Sequence, residues 1–149
     1  MKQRLPRLFL AVMTVLCLWG AWLCPVHLTL PESTGKRLGA DQINSSLYTP
    51  DYHSSLTHLT DDDWDALCAL VPTLDLRVSS KLNGHSVSGT AGTIVHDLMV
   101  SHPDSWFWFR VNLVDGQTLA FVEHNGTRYR ILNPEPLIEF LQSRVSFDV

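Results

Sequence analysis

Hydrophobic and polar positions along this chain of 149 residues fall into three regimes. The first is an uncharged run over residues 8–30, of which 8–24 (LFLAVMTVLCLWGAWLC) is almost wholly apolar, preceded by Lys2, Arg4 and Arg7. Its length is near the roughly 20 residues that span a bilayer as a helix. Basic residues resist translocation, so this pattern predicts a transmembrane helix with the N-terminus inside and the remainder exported. The second regime, residues 31–42, is poor in large apolar side chains and reads as a tether. The third, residues 43–149, alternates apolar and polar positions as a folded domain does.

Turn chemistry divides that domain. Asp115-Gly116 and Asn125-Gly126 are dipeptides suited to two-residue hairpin turns, whose central positions need positive φ. His102-Pro103-Asp104-Ser105 reads as a four-residue turn. These separate four strand-like runs at about 94–100, 106–114, 117–124 and 127–132, the first of which would also suit a helix. The turns imply a register: Val114 against Gln117, Phe109 against Val122, Trp108 against Glu123, Phe121 against Arg130, Phe109 against Leu98 and Arg110 against Asp97. One face then carries His96, Leu98, Val100, Phe107, Phe109, Val111, Ala120, Val122 and Ile131. The other carries Asp97, Met99, Trp108, Arg110, Asn112, Phe121, Glu123, Arg128 and Arg130, with opposite charges on neighbouring strands.

Two helices are expected over the apolar face. Thr60 caps Asp61-Asp62-Asp63, followed by a stripe of Trp64, Leu67, Cys68 and Val71 that ends at Pro72. Asn133 caps a second helix with Pro134 at its first position and Leu137, Ile138 and Leu141 inward. Residues 74–81 form another expected strand before an Asn83-Gly84 turn, while 42–60 resists assignment. The expected fold is thus α+β: an N-terminal transmembrane helix (1–30), a tether (31–42), and an extracytoplasmic domain (43–149). That domain is an antiparallel β-meander of about four to five strands with two helices packed on one face.

Charge and cysteine content narrow the function. Lys2, Arg4 and Arg7 contribute +3 to a net charge of −4, so the remainder carries −7. That balance argues against nucleic acid as a partner. Cys68 is the single cysteine beyond the apolar run, so the domain has no disulfide of its own. Small residues never fall two apart near the end of the run, which favours an uncleaved signal anchor over a cleaved signal peptide.

With these elements laid out, the order of anchor, extended segment, acid-capped helix, meander and the stretch Tyr129-Arg130-Ile131-Leu132-Asn133-Pro134 through Leu137-Ile138-Glu139-Phe140-Leu141 resembles small membrane-anchored domains of Gram-positive bacteria. The resemblance covers residues 60–141 as a pattern of elements. It implies a single-pass cell-membrane protein with an extracytoplasmic α+β domain, and it brings no activity and no functional residues.

Several motifs mimic chemistry. Gly84-His85-Ser86-Val87-Ser88-Gly89 approximates a nucleophile elbow, yet the chain is too short for the large parallel sheet an elbow requires. Asp61, Asp63 and Asp65 imitate an EF-hand start, but Ala66 and Pro72 replace the required Gly and Glu. The histidines lack zinc spacing, so neither metal nor cofactor is expected. The feature that stands apart is Trp106-Phe107-Trp108-Phe109, where alternation sends Trp108 to the polar face beside Arg110, Phe121 and Arg130. Trp and Arg are enriched where partners dock. Trp108, Arg110, Phe121 and Arg130 are therefore the candidate binding surface for a protein or cell-wall glycan, unless residues 42–60 or the strand at 74–81 fold over it. A binding or assembly module at the cell surface is the expected function. A small wall-active hydrolase using His96, His124 or Glu123, and a protein protecting against a toxin, are the alternatives.

Overall fold

A computed structural model describes residues 4–23, 26–30, 42–48, 52–79, 91–102, 105–114, 116–145 and 147. Helix α1 (Arg4–Leu23) precedes strands β1 (Gln42–Tyr48) and β2 (His53–His58), helix α2 (Asp61–Leu70) and β3 (Leu76–Val78). Strands β4 (Thr93–His102), β5 (Ser105–Val114), β6 (Gln117–His124) and β7 (Thr127–Ile131) follow, and helix α3 (Glu135–Gln142) comes last. The strands form one antiparallel seven-stranded sheet in the order β2-β1-β4-β5-β6-β7-β3.

The centre of that sheet carries the register that turn chemistry implies. Val114 pairs with Gln117 and Phe109 with Val122 across β5 and β6, Phe121 with Arg130 across β6 and β7, and Arg110 with Asp97 across β4 and β5. Asn125 and Gly126 both adopt positive φ (46° and 79°), as a tight right-twisting hairpin turn demands. Phe107, Phe109, Val111, Leu98, Val100, Ala120 and Val122 are buried on one face, together with Trp64, Leu67 and Val71 from the α2 region and Leu137, Phe140 and Leu141 from α3.

The four-to-five-strand count is too low, because two strands from the unassigned residues extend one edge of the sheet. Residues 42–60 supply β1 and β2 beyond β4, and β3 adds beyond β7. β1 escaped notice because its inward residues, Ile43 and Ser45, include a hydroxyl, and a buried serine breaks the apolar alternation that marks a strand. β3 spans three residues, not the eight expected. The Asn83-Gly84 turn and the elbow-like residues 84–89 lie outside the described residues.

The anchor is also corrected. Among the described residues, no helix is long and apolar enough to cross a membrane. The 20-residue α1 includes Arg4 and Arg7 in its first four residues. Setting that basic turn aside leaves sixteen residues, about 24 Å at roughly 1.5 Å per residue, against about 30 Å of hydrocarbon. Residues 26–30, counted in the apolar run, join the domain instead. The Val26 N–H donates to the Leu76 carbonyl at 2.8 Å, and Leu30 is buried in the core. The transmembrane anchor and the single-pass cell-membrane localisation are corrected by that finding, and the extracytoplasmic placement argued from them loses its support.

Both core helices have identifiable ends. At α2, the Thr60 hydroxyl accepts from the Asp63 N–H (3.2 Å), while the Asp63 carboxylate accepts from the Thr60 N–H (3.0 Å), a reciprocal capping box. The three acids at 61–63 thus serve a helix start. At α3, Asn133 is not the cap. Pro134 occupies that position, and the Asn133 side chain accepts from the Asp75 N–H (2.6 Å) and donates to the Thr73 carbonyl (3.0 Å).

Alternation on β4 and β5 makes a sharp prediction about stability. Phe109→Ala empties the middle of the core and should lower the unfolding free energy by about 3–5 kcal/mol. Met99→Ala, on the opposite face with its side chain 48% exposed, should shift it by about 0.5 kcal/mol or less. Urea melts of the two variants beside the parent measure both.

Candidate functional site

The pleat sends Trp108 and Arg110 of β5 to the side of the sheet opposite α2 and α3, and the neighbouring strands bring matching residues alongside. Asp97 on β4 faces Arg110 and accepts a two-pronged ion pair from it, Nε to Oδ1 at 2.6 Å and Nη2 to Oδ2 at 2.8 Å. The Trp108 indole N–H donates to the same carboxylate at 3.0 Å. The Arg110 guanidinium lies over the Trp108 ring, 4.5 Å from its centre. One hydrogen bond from the indole and one stacked cation, itself held by two hydrogen bonds to Asp97, thus fix the orientation of the tryptophan.

The stack continues across β6 and β7. Phe121 meets Trp108 edge-to-face at 6.2 Å, and the Arg128 guanidinium covers the other aromatic ring at 4.7 Å. Arg128 also pairs with Glu123 at 3.2 Å. Of the four residues expected to form the surface, Trp108, Arg110 and Phe121 are brought into this one stack. Arg130 stands beside it, opposite Phe121 in register, exposed and without an ion pair among the described residues. The segments that might have covered the face, 42–60 and the strand following Leu74, extend the sheet edgewise.

A recess of about 140 Å³ opens next to Phe121 and Arg130, with Ser79, Asn112, Leu119, Ala120 and Arg128 completing its wall. Ser79, Asn112 and Arg128 were not singled out as site residues by the sequence. For Arg128 the signal was present, since residues two apart on β7 share a face with Arg130. Ser79 reaches the site only because β3 docks on β7, with the Ser79 N–H donating to the Arg128 carbonyl at 2.9 Å.

The histidines are arranged differently. His96 is 1% exposed on the core side, its Nδ1 sharing a 2.7 Å hydrogen bond with the Ser45 hydroxyl, while its Nε2 is buried without a partner among the described residues. His124 stacks on Phe107 at 4.2 Å, and Glu123 points to the outer face toward Arg128. The three groups do not converge on one reacting position, as acid–base chemistry requires. Among the described residues, no three His, Cys, Asp or Glu side chains gather into a metal-holding group.

Burial pushes the His96 imidazole below the usual histidine range, and the Asp97 carboxylate pulls it partway back. A folded-state value below the unfolded one means that this group favours folding above about pH 6.5 and loses that contribution as pH falls through the folded value. Stability should therefore decline as pH drops from about 7 to about 5, and the decline should be smaller in His96→Asn. Denaturant melts across that range measure it. No protein-family model matches the chain, and neither the curated proteins nor the solved structures contain a match to it.

Proposed function

We propose that the chain is a binding or assembly module that receives a protein partner on the outer face of its sheet, around Trp108, Arg110, Phe121 and Arg130. The observation that carries this reading is the stack itself. A half-buried tryptophan is held by Asp97 and Arg110 on the sheet, while α2 and α3 cover the opposite face. Fixing a large side chain before a partner arrives removes most of the ordering cost of docking. Tryptophan and arginine are also the residue types that dominate measured interface energies.

Crosslinking of the full chain in its native cells, followed by mass spectrometry, identifies the partner. Trp108→Ala should weaken its capture about 30-fold, the ~2 kcal/mol of a binding hot spot. Equal capture by the parent and by Trp108→Ala and Arg110→Ala variants overturns the assignment of the surface.

A further inference from the structure

Resting on that reading, we infer that the recess beside Phe121 takes a carboxylate presented by the partner, an acidic side chain of a bound polypeptide. Size is the first argument. About 140 Å³ is well below the roughly 300–1,000 Å³ of pockets that enclose a free small molecule, and it suits the head of one side chain.

Charge is the second. Arg130 is exposed beside the recess, and Arg77 of β3 lies directly opposite it in the strand register, also exposed. Like charges in that position repel across a sheet, so the pair is relieved by an anion placed between or beside them. Arg128 adds a third guanidinium, whose Nε is buried with no partner among the described residues while one terminal nitrogen reaches Glu123. Residues 80–90, which continue directly from Ser79, contain Lys81 and no Asp or Glu, so that part of the chain supplies no carboxylate of its own.

Neutral donors and walls complete the fit. The Asn112 side chain is 2% exposed, lines the recess, and forms no hydrogen bond among the described residues. A planar guanidinium fork matches a carboxylate in two-point geometry, and an amide donor can take a remaining lone pair. Leu119 and Phe121 are apolar walls that suit the methylene stem of a Glu or Asp. The net charge of −4 confines the attraction to this corner, which favours a single carboxylate over an extended polyanion.

Selection from a library of displayed random peptides on the full chain, with the enriched peptides measured by fluorescence polarisation, tests the assignment. The expected peptides share one acidic position. Its Glu→Gln or Asp→Asn change should weaken binding at least tenfold, and Arg130→Gln in the protein should weaken the parent peptide by a similar factor. Enriched peptides without a shared acid, whose binding is lost in Trp108→Ala and kept in Arg130→Gln, overturn the carboxylate and leave the docking face standing. If no peptide is enriched, the carboxylate and the docking face both fall.

Discussion

A pleated strand turns successive side chains to opposite sides, so everything in this domain depends on where β5 stops and β6 begins, and where β6 stops and β7 begins. A slip of one residue on β5 would carry Phe107, Phe109 and Val111 into water and drive Trp108, Arg110 and Asn112 beneath the helices. Burying the Arg110 charge without Asp97 costs far more than the exposed rings recover. The positive φ at Asn125 and Gly126 holds the β6–β7 hairpin to a two-residue turn, which leaves one register open to it. Core and candidate surface are therefore two consequences of one alternation.

The edge at which the recess lies needs separate support, because β3 is only three residues long. That support comes from several directions. Asn133 ties the turn before β3 to the end of β7 through two hydrogen bonds. The Leu132 N–H donates to the Asp75 carbonyl (2.9 Å), and Val26 bonds Leu76 from the other side. On the core face, the two helices are joined by Arg144, whose Nε donates to Asp63 at 2.5 Å while its guanidinium lies over Phe140. Burial acts to raise the Asp63 carboxyl, but its hydrogen bonds with Thr60 and Arg144 outweigh it and hold the group below the usual carboxylate range. The capping box and the helix–helix tie thus share one carboxylate.

The parts of the fold legible in the sequence are those where local chemistry and alternation agree. The turn signals at 102–105, 115–116 and 125–126 give the pairing of β4 through β7 and both faces, including the contact between Asp97 and Arg110. Thr60 and three acids give the start of α2. Where a residue serves two purposes, the reading fails. Ser45 is buried because it partners His96 across strands 51 positions apart in sequence, so nothing nearby marks β1 as a strand. Asn133 has the chemistry of a cap and is used as a staple between distant loops. The apolar run misleads because its last residues, Val26 to Leu30, satisfy their hydrophobicity by packing on a sheet that local sequence does not reveal. Arg77 enters the candidate site only through the β3–β7 pairing, which no turn dictates.

Charge on the outer face is graded from one edge of the sheet to the other, and that gradient shapes what the surface can recognise. At β4 and β5 the ion pair of Asp97 with Arg110 is neutral as a unit, and its purpose is geometric, since it orients Trp108. At β6 and β7, Glu123 offsets Arg128, while Arg130 and Arg77 have no ion pair among the described residues. In a chain of net charge −4, such a corner does not steer a distant partner, because exposed charges are screened beyond about 8 Å at physiological salt. In the proposed complex it would act once Trp108 has made contact, a matching carboxylate stabilising the complex and a lysine at the same place being repelled. On that proposal, specificity and affinity would be separated across the sheet: the clamped aromatic stack would supply contact area that any apolar patch could use, and the arginine edge would decide which patch is accepted.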